Sequence, residues 1–121
     1  MTDLTRYARN STAKLTTTGR KSGQARTVTI WFVVTAPDRI EVQHARSPVA
    51  QWYKNLLTHP EVTLDFGGGP LAARAQPIVG ASAVAGVLAR IRRKHWLLGP
   101  LIQRGADPAR AVAAEIRLAA G

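Results

Sequence analysis

The residues that can do chemistry in this chain are concentrated in one short stretch, 16–26, which reads TTTGRKSGQAR. It combines two glycines, three cations and two neutral donors and contains no acid: Gly19, Gly23, Arg20, Lys21, Arg26, Ser22 and Gln24. Glycine lets backbone N–H groups approach a ligand closely, and the arginine fork suits phosphate or carboxylate. The residue order excludes a P-loop, and the lack of a following helix excludes a dinucleotide-binding turn. The stretch predicts an anion-binding loop between two strands, with a solvated basic turn as the alternative.

A second candidate stretch, 46–60, reads RSPVAQWYKNLLTHP. Arg46 falls where a predicted strand meets a predicted helix, and the N-terminus of a helix offers free N–H groups to an anion. The helical spacing of its apolar residues predicts a face that packs against the rest of the protein: Trp52, Tyr53, Leu56 and Leu57. Core packing is the favoured interpretation of Trp52. Two anion-suited features therefore frame the same predicted pair of strands.

The charge of the chain points in the same direction. Its 121 residues include 17 Lys and Arg but 7 Asp and Glu, a net charge of +10. Neither Leu4 to Pro37 nor Phe66 to Ala106 contains an acid, although both stretches contain cations. Such one-signed surfaces favour an anionic partner, which can be nucleic acid, an anionic membrane surface or a polyanionic cofactor. The alternative is a basic surface that only keeps the protein soluble.

Several classes of protein are excluded by what the sequence lacks. It has no cysteine, which excludes disulfides, thiolate catalysis and zinc–cysteine sites. His44, His59 and His95 show no metal-ligand spacing, so no metal site is predicted. No apolar run approaches the roughly 18 residues of a membrane span. The N-terminus lacks the apolar core of a signal peptide, and the expected compartment is the cytoplasm.

The elements that must position these residues can be read from periodicity and turn signals. Residues 1–121 are interpreted as one domain, because no repeat or linker interrupts them. Predicted strands span 14–18, 26–36, 39–44, 61–66 and 71–79, and the tail, 114–118, is read as a further strand rather than a helix end. Predicted helices begin at Pro48 with Ser47 as N-cap, run over 82–94, and restart at Asp107–Pro108. Mostly hairpin-connected strands with short inserted helices predict a small antiparallel barrel.

Two ordered motifs in this chain resemble the deazaflavin-dependent nitroreductase family. The shared residues are Thr17, Thr18, Gly19, Arg20, Lys21, Ser22, Gly23, Gln24 and Arg26, followed by Trp52, Tyr53, Asn55, Leu56, Pro60 and Val62. The likeness covers roughly residues 14–79. It implies a mainly β, α+β fold: a split β-barrel like that of pyridoxamine-phosphate oxidases, with short inserted helices. It also implies coenzyme F420, an anionic 8-hydroxy-5-deazaflavin, with flavin mononucleotide as the alternative cofactor.

The same resemblance implies a set of cofactor-binding residues. Arg20, Lys21, Ser22 and Arg26 would hold the phosphate and its surroundings, with Gln24 in the same loop and Arg46 facing the phosphate. Thr29, Ile30, His44, Ala45 and Gln51 would lie near the ring or the linker. The chain departs from the family in having a shorter connection before Trp52 and no tyrosine after Tyr53.

The leading functional hypothesis is an oxidoreductase that moves hydride from reduced deazaflavin to a quinone, an enone or a nitro compound. Tyr53 and His44 are candidates for proton delivery, with structural roles as the alternative. A second hypothesis is a non-catalytic carrier of a cofactor or a fatty acid. A third is a nucleic-acid or membrane-surface binder, acting through a basic cluster of Arg90, Arg92, Arg93, Lys94 and Trp96. Solvated cations at a helix end are the favoured interpretation of that cluster. A homodimer is expected, since small split barrels often complete their core with a partner.

Overall fold

The structure is a computed structural model that describes residues 3–44, 50–95 and 111–119. A 3₁₀ turn, Leu4–Tyr7, precedes strands β1 (Thr12–Thr18), β2 (Ala25–Ala36) and β3 (Arg39–His44). Helix α1 (Gln51–Thr58) leads to β4 (Glu61–Asp65) and β5 (Pro70–Ile78), and helix α2 (Ala81–Lys94) precedes β6 (Val112–Leu118). Within the described residues, no helix is long and apolar enough to cross a membrane.

The described strands form a closed antiparallel barrel in the order β1-β2-β3-β6-β5-β4. Pairing of β1 with β4, with Leu15 opposite Leu64, closes the ring. Closure removes the exposed strand edges that would otherwise pair with other chains. The predicted antiparallel barrel with helical additions is confirmed, and so is the strand interpretation of the tail, which lies between β3 and β5 as β6.

The barrel interior is filled by the alternate residues of each strand, as period-two patterning requires. On β2 these include Ile30 and Phe32, which are buried among the inward residues of the other strands. Two elements that are not strands add fully buried leucines to this core. Leu4 enters beside the β2–β3 turn, where its N–H donates to the Pro37 carbonyl at 2.7 Å. Leu56 enters from α1, which follows the opposite end of β3. The barrel is therefore plugged at both ends.

Helix α2 packs on the outer surface of the barrel. Its buried stripe of Val84, Val87 and Ile91 forms a second apolar cluster with Ala113 of β6 and with partly buried residues of β2. This stripe follows the 3.6-residue period that predicted the helix. At its C-terminal end, Lys94 donates to the Phe32 carbonyl at 2.8 Å, and its Nζ lies 3.7 Å from the centre of the Phe32 ring.

The start of α1 differs from the prediction. The helix begins at Gln51 with Ala50 at the N-cap position and without a side-chain capping bond, whereas the sequence predicts a start at Pro48 with Ser47 as N-cap. Ser47 and Pro48 lie outside the described residues, as does the helix predicted at Asp107–Pro108. A Ser-Pro pair is a strong local start signal, but the residues that pack on the barrel, Trp52 and Leu56, decide where the helix is stabilised.

Candidate functional site

The basic turn between β1 and β2 is held by its own backbone. The Gly19 N–H donates to the Gln24 carbonyl, and the Gly23 N–H donates to the Gly19 carbonyl, both at 2.8 Å. Gly23 has a φ of 71°, a conformation that glycine adopts without strain. A Cβ at Gly19 would lie 2.6 Å from the Ser22 Oγ and 3.3 Å from the Gln24 carbonyl oxygen, so a larger residue there requires Ser22 to shift. Both glycines are thus explained by the geometry of the turn.

Helix α1 anchors this turn through one face. Gln51 and Asn55 are four residues apart and so lie one above the other on the helix. The Arg20 guanidinium donates to the Asn55 Oδ1 at 2.9 Å and to the Gln51 Oε1 at 2.8 Å. The Arg20 backbone N–H donates to the same Asn55 oxygen at 3.2 Å, and the Asn55 Nδ2 donates to the Thr17 Oγ1 at 3.3 Å. The network fixes Arg20 without placing any carboxylate of the described residues beside it.

Between the turn and α1 lies a groove of about 740 Å³, called here the basic groove. Its lining is Thr17, Gly19, Arg20, Lys21, Ser22, Ala25, Arg26, Thr27, Val28, Gln51, Trp52 and Asn55. Three of these side chains are cations and none is an acid. The cations face a groove with an apolar wall of Val28, Ala25 and Trp52. A site of this composition attracts an anion and offers apolar contact to the rest of the ligand.

A larger groove of about 1260 Å³ runs along β5 and β6 beyond α1. Volume alone would favour it as the binding site. Its lining, however, carries charges of both signs: Arg74 pairs with Glu61 at 2.7 Å, and Arg117 pairs with Glu115 at 3.2 Å. Paired surface charges of this kind attract an anion weakly. The smaller basic groove is therefore the better candidate for an anionic ligand.

The structure brings together part of the predicted site. Arg20, Lys21, Ser22, Arg26 and Gln51 all line the basic groove. Ala45 and Arg46 lie outside the described residues.

Four other predicted cofactor residues do not line this groove. Gln24 contributes its backbone to the turn. Thr29 faces outward and accepts a bond from the Lys14 Nζ at 2.6 Å, and Ile30 is 5% exposed in the barrel core. His44 ends β3 opposite Val112 of β6.

Neither candidate proton donor reaches the basic groove. Tyr53 packs against the barrel core, with its ring edge-on to Trp52 at 6.0 Å between centroids. His44 lies at the end of β3 and is not among the residues that line the groove. Among the described lining residues there is no carboxylate, imidazole or phenol. The described part of the chain also contains no cluster of residues able to hold a metal ion.

Sequence reasoning missed several residues that build the basic groove, among them Thr17, Trp52 and Asn55. Thr17 and Asn55 are 2% and 4% exposed, so they support the groove as buried residues. The available signal was the spacing of Gln51 and Asn55, which puts two amides on one helix face, because amide side chains at i and i+4 can share one partner.

Two members of the predicted basic cluster at the end of α2 bind other residues of the protein. Arg90 binds Glu41 of β3 through its Nε at 2.6 Å and its Nη2 at 3.0 Å. Burial lowers the pKa of Lys94 to about 8, and its ammonium is held at the Phe32 carbonyl. Arg92 and Arg93 are exposed, and Trp96 lies outside the described residues. The cluster therefore offers less free charge to a polyanion than its sequence suggests.

An anionic cofactor fits the basic groove on these observations. The first turn of α1 contains no acid, and its N-cap residue makes no side-chain capping bond. Helix N-termini of this kind favour negative charge, and the described partners of the nearby Arg20 are neutral amides that do not compensate its charge. The groove thus suits a phosphate group far better than a neutral or cationic one.

Comparison with known proteins identifies the family. A family model described as F420H(2)-dependent quinone reductase matches residues 4–96. No curated protein sequence matches the chain.

Solved structures share the fold at low sequence identity. An F420 reductase has a TM-score of 0.66 and 20% identity, with 99% of this chain and 95% of that chain covered. A putative pyridoxamine 5'-phosphate oxidase from Listeria innocua has a TM-score of 0.62 and 12% identity, with 97% and 90% covered. The heme storage protein HutZ from Vibrio cholerae has a TM-score of 0.69 and 16% identity, with 98% and 89% covered.

These structures show that one split barrel accommodates different chemistries, so the fold by itself does not select a cofactor. The family match does select the cofactor, because it spans most of the chain and includes both the basic turn and α1. The chain belongs to the F420H(2)-dependent quinone reductase family, and it is an oxidoreductase with a split β-barrel fold whose cofactor is coenzyme F420.

Proposed function

We propose that this protein transfers hydride from reduced coenzyme F420 to a small quinone, with enones and nitro compounds as secondary acceptors. The observation that carries the proposal is the basic groove: Arg20, Lys21 and Arg26 line it without an acid among its described residues. Such a groove binds the phosphodiester of the cofactor and leaves the apolar wall for flat, weakly polar rings.

The reduced deazaflavin supplies the hydride when it is bound. The residues of this chain bind and orient it. Arg20 is fixed before the ligand arrives, because two amide oxygens and its own turn hold it. A pre-positioned cation loses little freedom on binding, which favours both affinity and a defined ring position. Lys21 and Arg26, both exposed, add long-range attraction for the anion.

The lining also supports a quinone as acceptor. The described lining of the groove contains no carboxylate, imidazole or phenol. A substrate that needs a proton from an acidic side chain therefore finds no donor among these residues. A quinone reduced by hydride carries its new charge on oxygen, where nearby cations stabilise it and water can protonate it. Nitro compounds need several proton transfers and are expected to react more slowly.

The test is an anaerobic assay of reduced F420 oxidation, followed by absorbance, with menadione, cyclohexenone and a nitroimidazole as acceptors. We expect menadione to react fastest, and flavin mononucleotide to fail to replace F420. Arg26→Ala should raise the KM for reduced F420 by roughly tenfold, as expected for the loss of one charged phosphate contact. Arg92→Ala, which removes the same charge from the exposed end of α2, is the matched control.

Two results would contradict the proposal. One is tight F420 binding without oxidation by any of the three acceptors, which would favour the carrier alternative. The other is an equal effect of Arg26→Ala and Arg92→Ala, which would mean that net charge, rather than the basic groove, governs affinity.

A further inference from the structure

The most unusual feature of the basic groove is that its best-held cation, Arg20, has only amides as side-chain partners among the residues that the structure describes. Both described side-chain partners of Arg20 are neutral: Gln51 accepts from Nη2, and Asn55 accepts from Nη1. Arginine in proteins commonly pairs with a carboxylate, which fixes the fork but cancels its charge. An amide oxygen fixes the same fork and leaves the charge in place.

Asn55 is central to this arrangement because its three described side-chain hydrogen bonds all serve one function. Its Oδ1 accepts from the Arg20 backbone N–H and from the Arg20 guanidinium, so one atom sets both ends of that residue. Its Nδ2 donates to the buried Thr17 hydroxyl, and the two Arg20 donors fix which side of the amide faces Arg20. With the amide reversed, two donors would face each other, and a buried donor without a partner is destabilising.

We infer that Asn55 is a positioning residue that aims the Arg20 guanidinium into the basic groove while keeping its charge available to an anion, with Gln51 as its outer partner. The inference rests on the proposed anion site and goes beyond it by assigning the requirement for a neutral amide. It predicts that a carboxylate at either position preserves the geometry and weakens anion binding.

Asn55→Asp is the decisive substitution, because it keeps the oxygen that binds Arg20 and replaces only the amide nitrogen. The new carboxylate forms an ion pair with the guanidinium, so we expect an unchanged or higher thermal midpoint together with roughly tenfold or greater weakening of F420 binding. Gln51→Glu adds the same charge at an exposed position, with an expected loss of about threefold or more. Gln76→Glu on the exposed face of β5 makes the same change in net charge outside the basic groove.

Coenzyme F420 and inorganic pyrophosphate serve as two separate probes, with F420 followed by fluorescence and pyrophosphate by its shift of the thermal midpoint. Each titration is run at low and at high salt. A loss that shrinks at high salt reports charge cancellation, whereas a loss that persists reports a packing defect.

The inference is supported if Asn55→Asp and Gln51→Glu fold, bind both probes more weakly than Gln76→Glu, and approach the wild type at high salt. It is overturned if the three variants bind alike, or if the losses in Asn55→Asp and Gln51→Glu persist at high salt. Failure of the proposed function gives a different pattern: the wild type binds pyrophosphate but not F420, and the carboxylate variants still lose pyrophosphate binding. Wild-type protein that binds neither probe overturns both.

Discussion

The ion pair between Arg90 of α2 and Glu41 of β3 makes the sharpest prediction about stability. Both guanidinium contacts are short, at 2.6 and 3.0 Å, but the two side chains differ in exposure: 12% for Glu41 and 43% for Arg90. Removing the arginine strands the more deeply buried charge, whereas neutralising the glutamate leaves a guanidinium that water can reach. The two variants should therefore differ in cost.

For Arg90→Met, breaking a fully buried pair would cost about 3–5 kcal/mol, and the partial exposure of this pair reduces that to about 2 kcal/mol. For Glu41→Gln, the amide oxygen keeps one hydrogen bond, and the expected loss is about 1 kcal/mol. With an m value of about 1.5 kcal/mol/M, the urea midpoint should fall by about 1.3 M for Arg90→Met and by about half that for Glu41→Gln.

The assay is equilibrium unfolding in urea followed by tryptophan fluorescence. Arg92→Met is the matched control, since it removes an exposed arginine from the same helix and should change stability by less than about 0.5 kcal/mol. If Glu41→Gln proves more damaging than Arg90→Met, or if Arg90→Met behaves like Arg92→Met, the reasoning from unequal burial is wrong.

Three further predictions concern the turn, the end of α2 and the N-terminal plug. Gly19→Ala should cost about 1 kcal/mol because its Cβ would crowd the Ser22 Oγ, and adding Ser22→Ala should restore most of the loss in a urea titration; equal midpoints for the single and double variants would contradict this. Burial lowers the pKa of Lys94 from 10.5 to about 8, so the unfolded chain binds more protons between those values and stability should rise with pH there. Lys94→Met should abolish that rise. The measurement compares urea midpoints below pH 8 with those between pH 8 and 10.5, and a variant with the pH profile of the wild type would refute the role of Lys94. Leu4→Ala should cost about 3 kcal/mol by thermal unfolding, since Leu4 is fully buried; a loss below about 1 kcal/mol would show that the 3₁₀ turn does not plug the barrel.

Much of the barrel could be predicted because its signals are local. The alternation of Val28, Ile30 and Phe32 gives β2 its inward face, and the 3.6-residue stripe of Val84, Val87 and Ile91 gives α2 its buried one. Most of the observed helix and strand ends differ from the predicted ends by one or two residues. The larger error was the start of α1, where a strong local signal at Ser47–Pro48 gave way to Gln51.

The candidate site was predicted less completely, since a site is made by elements that are distant in sequence. The turn residues Arg20, Lys21, Ser22 and Arg26 were found through composition and family resemblance, and they do meet at one groove. Asn55 was recognised as part of a motif without a role, because its partner Arg20 is 35 residues away.

The sequence by itself determined the strand faces, the basic turn and the family, because periodicity, glycine placement and charge are properties of neighbouring residues. Only the tertiary structure decided which cations remain free. Arg90 and Lys94 look like Arg20 in the sequence, but folding places one against Glu41 and the other against the Phe32 carbonyl. Folding places Arg20 between two neutral amides. A charge is available to a ligand only if its folded neighbours leave it uncompensated, and those neighbours come from distant parts of the chain.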